Sequence, residues 1–321
     1  MHWLLRRLVA SAALVVAVPT LTFVIADAAP GDPLARLDLD PAVSPETVAA
    51  VRARYDLDGS LPERYLAWLQ AVGRGEMGFS VSRGAPAGRL LWPRAVATLL
   101  LTVSASAVAW ILGLALGGVA AAAPGRIADR LLAGLTALLL AVPELVLALL
   151  LLAVAVRTGW LPTGGMTSLD AGGHGAAWRT ADLLRHMALP VSALALGLLP
   201  VIARHVRSAL GEALAAPFAA AARAHGVPPW RIVLRHGLPA AAGPLVSLLG
   251  LTVAGLVSGS LLVEVVLSWP GLGPLVLEAM LARDVHVVAG AVTLSGLMVA
   301  AGVLLTDLLL LAVDPRVRER R

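Results

Sequence analysis

The chain has 321 residues, 59% of them hydrophobic and 14% charged, with a mean hydropathy of +0.85 and a formal net charge of +5. A soluble domain of this length has too little interior to hide that much apolar surface, and the excess falls in long blocks, so the composition predicts a membrane protein. Cys is absent, which excludes disulfides, thiolate metal sites and Cys nucleophiles, and all 25 basic residues are Arg, which excludes a Walker-type phosphate loop because that loop needs its Lys.

A bilayer-spanning helix needs about 20 mostly apolar residues. Six segments meet or approach that length: 8–26, 95–123, 131–156, 187–203, 238–263 and 287–313. The first has a competing reading as a signal peptide, with Arg6 and Arg7 ahead of it and Ala26-Asp27-Ala28 as a cleavage site. Its apolar stretch is long for that role and contains Pro19, so a retained helix is expected. Between the first two spans, segment 28–94 predicts two helices. One has Ser44 as N-cap, Pro45 at its first position and Glu46 in its first turn. The other carries Tyr65, Leu66, Trp68, Leu69 and Val72 at helical spacing and stops at Gly73. The expected class is an all-α polytopic membrane protein with six spans and a helical extracytoplasmic segment between the first two. Residues 1–94 form the first division and 95–321 the five-helix membrane domain.

Orientation follows from where Arg falls in the short loops. With the N-terminus inside, the cytoplasmic side holds Arg6, Arg7, Arg126, Arg130, Arg204, Arg207, Arg223, Arg231 and Arg235. It also holds the tail with Arg316, Arg318, Arg320 and Arg321, so both termini are expected in the cytoplasm. This bias accounts for the basic isoelectric point. No basic face with interleaved aromatics suggests nucleic acid.

One polar stretch stands out between two spans: AAARAHGVPPWRIVLRHGLP, residues 220–239, basic and without an acid. Pro217 suits the first position of a short helix, Gly226 a left-handed turn after it, and Pro228-Pro229 forbid its continuation. The Ala residues from Ala219 to Ala222, and Ala224, leave a smooth surface that a partner's groove can accept. Phe218 is a hydrophobic anchor for such docking, and Arg223 and His225 polar edge contacts. The competing reading is a solvated loop whose Arg residues only set topology.

Ala221-Ala222, three residues, Gly226, then Leu238-Pro239 resembles the Glu-Ala-Ala loop of ABC-importer permeases. Ala220 replaces the Glu and His236 an Ile of that pattern. Further stretches resemble the dipeptide/oligopeptide/nickel branch in its B-type subunit: Arg6-Arg7, Pro30-Gly31-Asp32-Pro33, Tyr55-Asp56-Leu57-Asp58 and Gly75-Glu76-Met77-Gly78-Phe79-Ser80. Glu264 with Trp269-Pro270-Gly271-Leu272-Gly273, Arg283-Asp284, and Asp307 with Asp314-Pro315-Arg316 continue the likeness in order. Pro217, His225 and Ala240 depart from that branch, which more often has Asp, Lys and Asn there. The resemblance implies a permease subunit of the bacterial inner membrane, importing di- or oligopeptides, with nickel or another small solute as the alternative. It implies a heterodimer with a second permease, two cytoplasmic ATPases and an extracytoplasmic substrate-binding protein. Residues 204–239 are then the ATPase-coupling loop. The chain itself needs no cofactor or metal and hydrolyses no ATP.

Among charged residues in the spans, Glu144 follows Pro143 midway along the third. A carboxylate at bilayer depth costs about 2.5–3.5 kcal/mol on insertion scales, so it is expected to face a pathway and meet a cationic group, or to be protonated or bonded to a neighbouring helix. Glu264 and Asp307 lie nearer span ends, where helix-end bonding or packing against the partner permease is expected over substrate contact. Gly113, Gly117, Gly118, Gly250 and Gly255 suit close helix packing. His186 and His286 lack a clustered second ligand and do not suggest metal. A membrane enzyme would need a nucleophile with its base or a metal-binding pair, and no such motif occurs. A secondary transporter would show inverted repeats, and none is visible.

Overall fold

The computed structural model describes residues 2–28, 44–54 and 59–313. In chain order the helices are α1 (His2–Ala28), α2 (Pro45–Arg54) and α3 (Leu61–Gly73). A two-stranded antiparallel ribbon follows, β1 (Phe79–Ser80) with β2 (Ala85–Pro86), Phe79 opposite Pro86. Then come α4 (Ala87–Ala122), α5 (Ile127–Ala141), α6 (Glu144–Thr158), α7 (Ala176–Ala215), α8 (Pro217–Ala224) and α9 (Pro229–Ile232). A π-helical turn, Val233–Gly237, leads into α10 (Leu238–Val266), followed by α11 (Leu272–Leu281) and α12 (Val285–Val313). The chain divides into two compact units, Met1–Thr98 with Pro270–Ala300, and Leu99–Trp269 with Ala301–Arg321.

In the first unit, α3 begins where Ser60 donates to the Glu63 carboxylate from both its backbone N–H (2.9 Å) and its hydroxyl (2.7 Å). Those bonds satisfy one of the amides a helix start leaves over. Its apolar stripe then closes on α1. Phe23 and Trp68 are buried with Ala289, and Tyr65, Leu69 and Val72 pack around them. The Phe23 ring lies edge-on to Tyr65 at 5.4 Å between centroids, a favoured aromatic geometry. Leu66, expected on this stripe, points away and is exposed. Pro19 sits inside α1 without ending it. Nearby, Thr20 and Thr22 hydroxyls donate to the carbonyls of Val16 (2.7 Å) and Val18 (3.0 Å).

The same unit joins two distant stretches. Asp284, buried beyond the end of α11, accepts from the hydroxyls of Ser80 (2.6 Å) and Ser82 (2.9 Å). The backbone N–H of Leu272 donates to Thr98 at 2.8 Å. The likeness-bearing stretches ending at Ser80 and containing Asp284 therefore meet through one carboxylate. Those at 30–33, 55–58 and 314–316 lie outside the described residues.

The second unit is built around α7. Its Ile202, Val206 and Leu210 are buried with Ala109 of α4 and Leu245 of α10, while Leu199 and Ala203 pack with Ala120 and Leu132. The approach of α4 to α7 depends on missing side chains: a Cβ on Gly117 would lie 2.6 Å from the Ala203 carbonyl oxygen. Gly113 faces Ile202 and Gly250 faces Thr306 in the same manner, whereas a Cβ on Gly255 would meet nothing within 4 Å. Four of the five expected packing glycines thus face a neighbouring helix, Gly118 only at ordinary contact distance from Leu210.

Several expected elements differ. The fourth span, expected at 187–203, belongs to a 40-residue helix that runs on through Pro190 and Pro200 and includes Arg204 and Arg207. Ala and Leu over 208–215 carry the helix onward. The third, expected at 131–156, is not one rod: α5 and α6 meet at 98° across Val142-Pro143. Pro143 has no N–H to continue the ladder and disfavours helical geometry at Val142. Between the expected fifth and sixth spans the chain forms a further helix, α11. Among the described residues, four helical stretches are long and apolar enough to cross a membrane: α4, α7, the stretch from α9 through α10, and α12. Counting the bent pair gives five, and α1 contributes the shorter apolar stretch Val15–Ile25.

Candidate functional site

Residues 216–239 build a surface loop on the end of α7. Ala216 has extended backbone (φ −68°, ψ 155°), which ends α7 and starts α8, with Pro217 at its first position. On α8, Ala219 is fully buried and Ala222 half-buried, while Phe218, Ala220, Ala221, Arg223 and Ala224 are exposed. The exposed face is therefore nearly all Ala, with Phe218 projecting at its start.

The end of α8 is closed by a pair of backbone bonds, Val227 N–H to the Ala222 carbonyl (3.1 Å) and Gly226 N–H to that of Arg223 (2.9 Å). This is the Schellman arrangement, and it requires the left-handed conformation that Gly226 adopts at φ +75°. Arg223 donates to the Leu214 carbonyl at 3.2 Å, satisfying one of the acceptors left over at the end of α7. His225 Nδ1 lies 2.8 Å from the Ala221 carbonyl. Arg223 thus bonds to the end of α7 and His225 to the loop itself, and both remain exposed.

Pro228 and Pro229 then start α9, and Arg231 lies over the Trp230 ring at 5.3 Å. The widened turn at Val233–Gly237 precedes Pro239, which lacks the N–H an α-helix would direct to the Arg235 carbonyl. Gly237 is buried, and a Cβ there would touch Leu210 and Leu214 at 3.4 Å, so its absence lets the widened turn lie close against α7. Leu238 and Pro239 open α10. Phe218, Trp230 and Leu234 are 43%, 60% and 57% exposed, an apolar set flanked by Arg223, Arg231 and Arg235.

Beneath the loop lies a cleft of about 540 Å³, bounded by Ala121 and Pro124, by Ser208 and Gly211 of α7, and by Arg223 and Ile232. At its edge Arg207 grips Asp129 with two guanidinium nitrogens, Nη2 at 2.8 Å from Oδ2, and Gly125 N–H donates to the same oxygen at 2.8 Å. The ion pair ties the α4–α5 turn to α7 beside the loop. Sequence reading counted the Arg residues here and missed Asp129. An acid set among the basic residues of such a short turn was the available signal.

Glu144 sits elsewhere, as the first residue of α6 at the bend. It is half-buried and faces bare backbone on two other helices. A Cβ on Gly197 of α7 would lie 3.4 Å from its Cγ, and one on Gly259 of α10 would lie 3.0 Å from Oε2. A negative side chain at this helix start is favourably placed toward the α6 dipole. Glu264 is wholly buried and Asp307 is 6% exposed, both within the second unit. The structure brings the loop residues together; Glu144 and Asp307 lie on other helices, and Glu264 lies near the far end of the helix that Leu238 and Pro239 open. His186 Nδ1 is occupied by the Asp182 carbonyl at 2.8 Å.

Residues 113–319 match the family described as binding-protein-dependent transport system inner membrane component. Residues 1–87 match that described as "Binding-prot-dependent transport system membrane comp, N-term". The chain is 31% identical over 317 residues to the oligopeptide transport system permease protein AppB of Bacillus subtilis, covering 98% of each. It is 32% identical over 340 residues to the dipeptide transport system permease protein DppB of Escherichia coli, covering all of both. Among solved structures, the MetNI methionine ABC transporter in inward-facing conformations shares the fold, with a TM-score of 0.56 at 23% identity over 70% of this chain and 96% of that one.

Proposed function

The chain belongs to the family of binding-protein-dependent transport system inner membrane components, and on that premise we propose that it imports short peptides as one of two permeases in an ABC importer of the bacterial inner membrane. The observation that carries the cargo is end-to-end likeness to an oligopeptide and a dipeptide permease. Nickel or another small solute is the alternative cargo.

The chain crosses the bilayer six times with both termini in the cytoplasm. α1, α4, the bent pair α5–α6, α7, α9 with α10, and α12 are the spans. Four long apolar helices and the bent pair support five of these. Residues 1–94 supply the first span and the extracytoplasmic helices, and residues 95–321 the permease domain. Residues 204–239 pass the closure of two separate ATPase subunits to the membrane helices. The smooth Ala face of α8 enters the ATPase groove, with Phe218, Trp230 and Leu234 as its apolar contacts. A second permease completes the pathway, and an extracytoplasmic binding protein delivers the solute. Glu144 lies along the pathway, while Glu264 and Asp307 hold helices within this chain, which their burial supports.

Uptake in cells deleted for this chain tests the cargo. Loss of labelled di- and oligopeptide uptake, restored by the gene, is expected. Loss of nickel uptake alone would transfer the chain to the metal branch.

A further inference from the structure

We propose that Glu144, Gly197 and Gly259 together form a recognition site for the α-ammonium group of the transported peptide. The inference rests on the reading that Glu144 lies along the pathway. Three separate helices bring these residues together. Glu144 opens α6 at the 98° bend, Gly197 comes from α7 and Gly259 from α10. The three atoms nearest a Cβ on Gly197, and the three nearest one on Gly259, all belong to Glu144. No side chain from either position covers the carboxylate.

Its surroundings set Glu144 apart from other acids of the chain. Asp129 accepts from Arg207 and Gly125, Asp182 from Ser168, and Asp284 from Ser80 and Ser82. Among the described residues no hydrogen bond or ion pair reaches the Glu144 carboxylate. A half-buried carboxylate in an apolar span, with the α6 dipole in its favour and no hydrogen-bond donor, is stabilised further by a cation. The chemistry of that cation follows from the site. One carboxylate is too few oxygen ligands for a divalent metal. Among the described residues no group of three acidic, His or Cys side chains stands ready to hold one. A compact ammonium with three N–H donors is satisfied by a carboxylate, and the two glycines give the Glu144 side chain the room to lie against both helices.

The test uses the complete transporter, with its partner subunits and binding protein, reconstituted in vesicles. Uptake is compared for one peptide with a free α-amino group and for its N-acetylated form, each at a concentration that saturates the binding protein. Because the binding protein is the same throughout, a change in the ratio of the two rates reports on the permease. Glu144→Gln is expected to slow the free-amino peptide about tenfold, the scale of losing a hydrogen bond to a charge, and to spare the acetylated one. Gly259→Ala, which places a methyl 3.0 Å from Oε2, is expected to shift the ratio the same way. Gly255→Ala on the same helix, open on that side, is the control that leaves both rates unchanged. Co-purification of the subunits verifies assembly of every variant. Equal slowing of both peptides by Glu144→Gln would retain Glu144 in the pathway and overturn the ammonium site. Full transport of both by Glu144→Gln would overturn the pathway reading and the site with it.

Discussion

Asp129 accepts three hydrogen bonds, two from Arg207 and one from Gly125 N–H, and it is almost completely buried while the Arg207 side chain is 46% exposed. Such a pair couples neighbouring elements more than it stabilises the fold, because its exposed cation is largely solvated. Asp129→Asn is therefore expected to lower uptake while protein abundance holds. A double-mutant cycle with Arg207→Ala, read on the uptake rate, should show non-additive effects. Independent effects would mean that the α4–α5 turn does not move with α7. Gly117 makes a different residue-scale case. A side chain there meets backbone, which cannot rotate away, so Gly117→Val is expected to cost about 1–3 kcal/mol of stability, seen as a lowered midpoint of unfolding in detergent. Gly255→Val should leave that midpoint in place. The sequence marks both as small residues in a span and does not distinguish them, since only the opposing helix gives the difference.

At the scale of elements, α8 is eight residues long, too short to hold itself together in water. Its start is set by Pro217, its end by Gly226, and its inner face by Ala219 against the rest of the unit. An L-residue in the left-handed conformation costs about 1–2 kcal/mol, so Gly226→Ala should loosen the Schellman closure without unfolding the helices around it. Faster amide exchange at Val227 and reduced uptake are expected, with unchanged expression. Unchanged exchange at Val227 would mean that the bonds to Ala222 and Arg223 do not hold this end. This element was legible in the sequence to within one residue, because Pro and Gly act locally. The bend between α5 and α6 was not. The apolar run reads straight through Val142-Pro143, and a proline inside a span can be absorbed, as Pro190 and Pro200 are in α7. Burial of α7 along its length supports continuity there, and hydrophobicity alone does not report it.

For the whole molecule, the expected arrangement places the basic loop inside and the segment between α6 and α7 outside. The chain has no natural Cys, so single Cys residues are clean probes. Ala221→Cys should react with a thiol reagent only from the cytoplasmic side and crosslink to an ATPase subunit. Thr163→Cys should react with an impermeant reagent from the outside. Labelling of Ala221→Cys without any crosslink would count against docking of α8. Reaction of both from one side would overturn the topology.

The membrane class, the positions of most long helices, the α3 stripe and the boundaries of the loop were determined by the sequence itself. Each depends on local quantities: apolar length, helical spacing, and the backbone limits of Pro and Gly. The ordered likeness to peptide-branch permeases also lay in the sequence. Tertiary structure alone decided the sharp bend at Pro143, the meeting of Ser80 and Ser82 with Asp284, the hold of Arg207 on Asp129, and the glycine-faced setting of Glu144. The last three join residues tens to hundreds of positions apart. No local propensity encodes which helix comes to lie opposite which, because that choice is made by packing all the apolar faces at once.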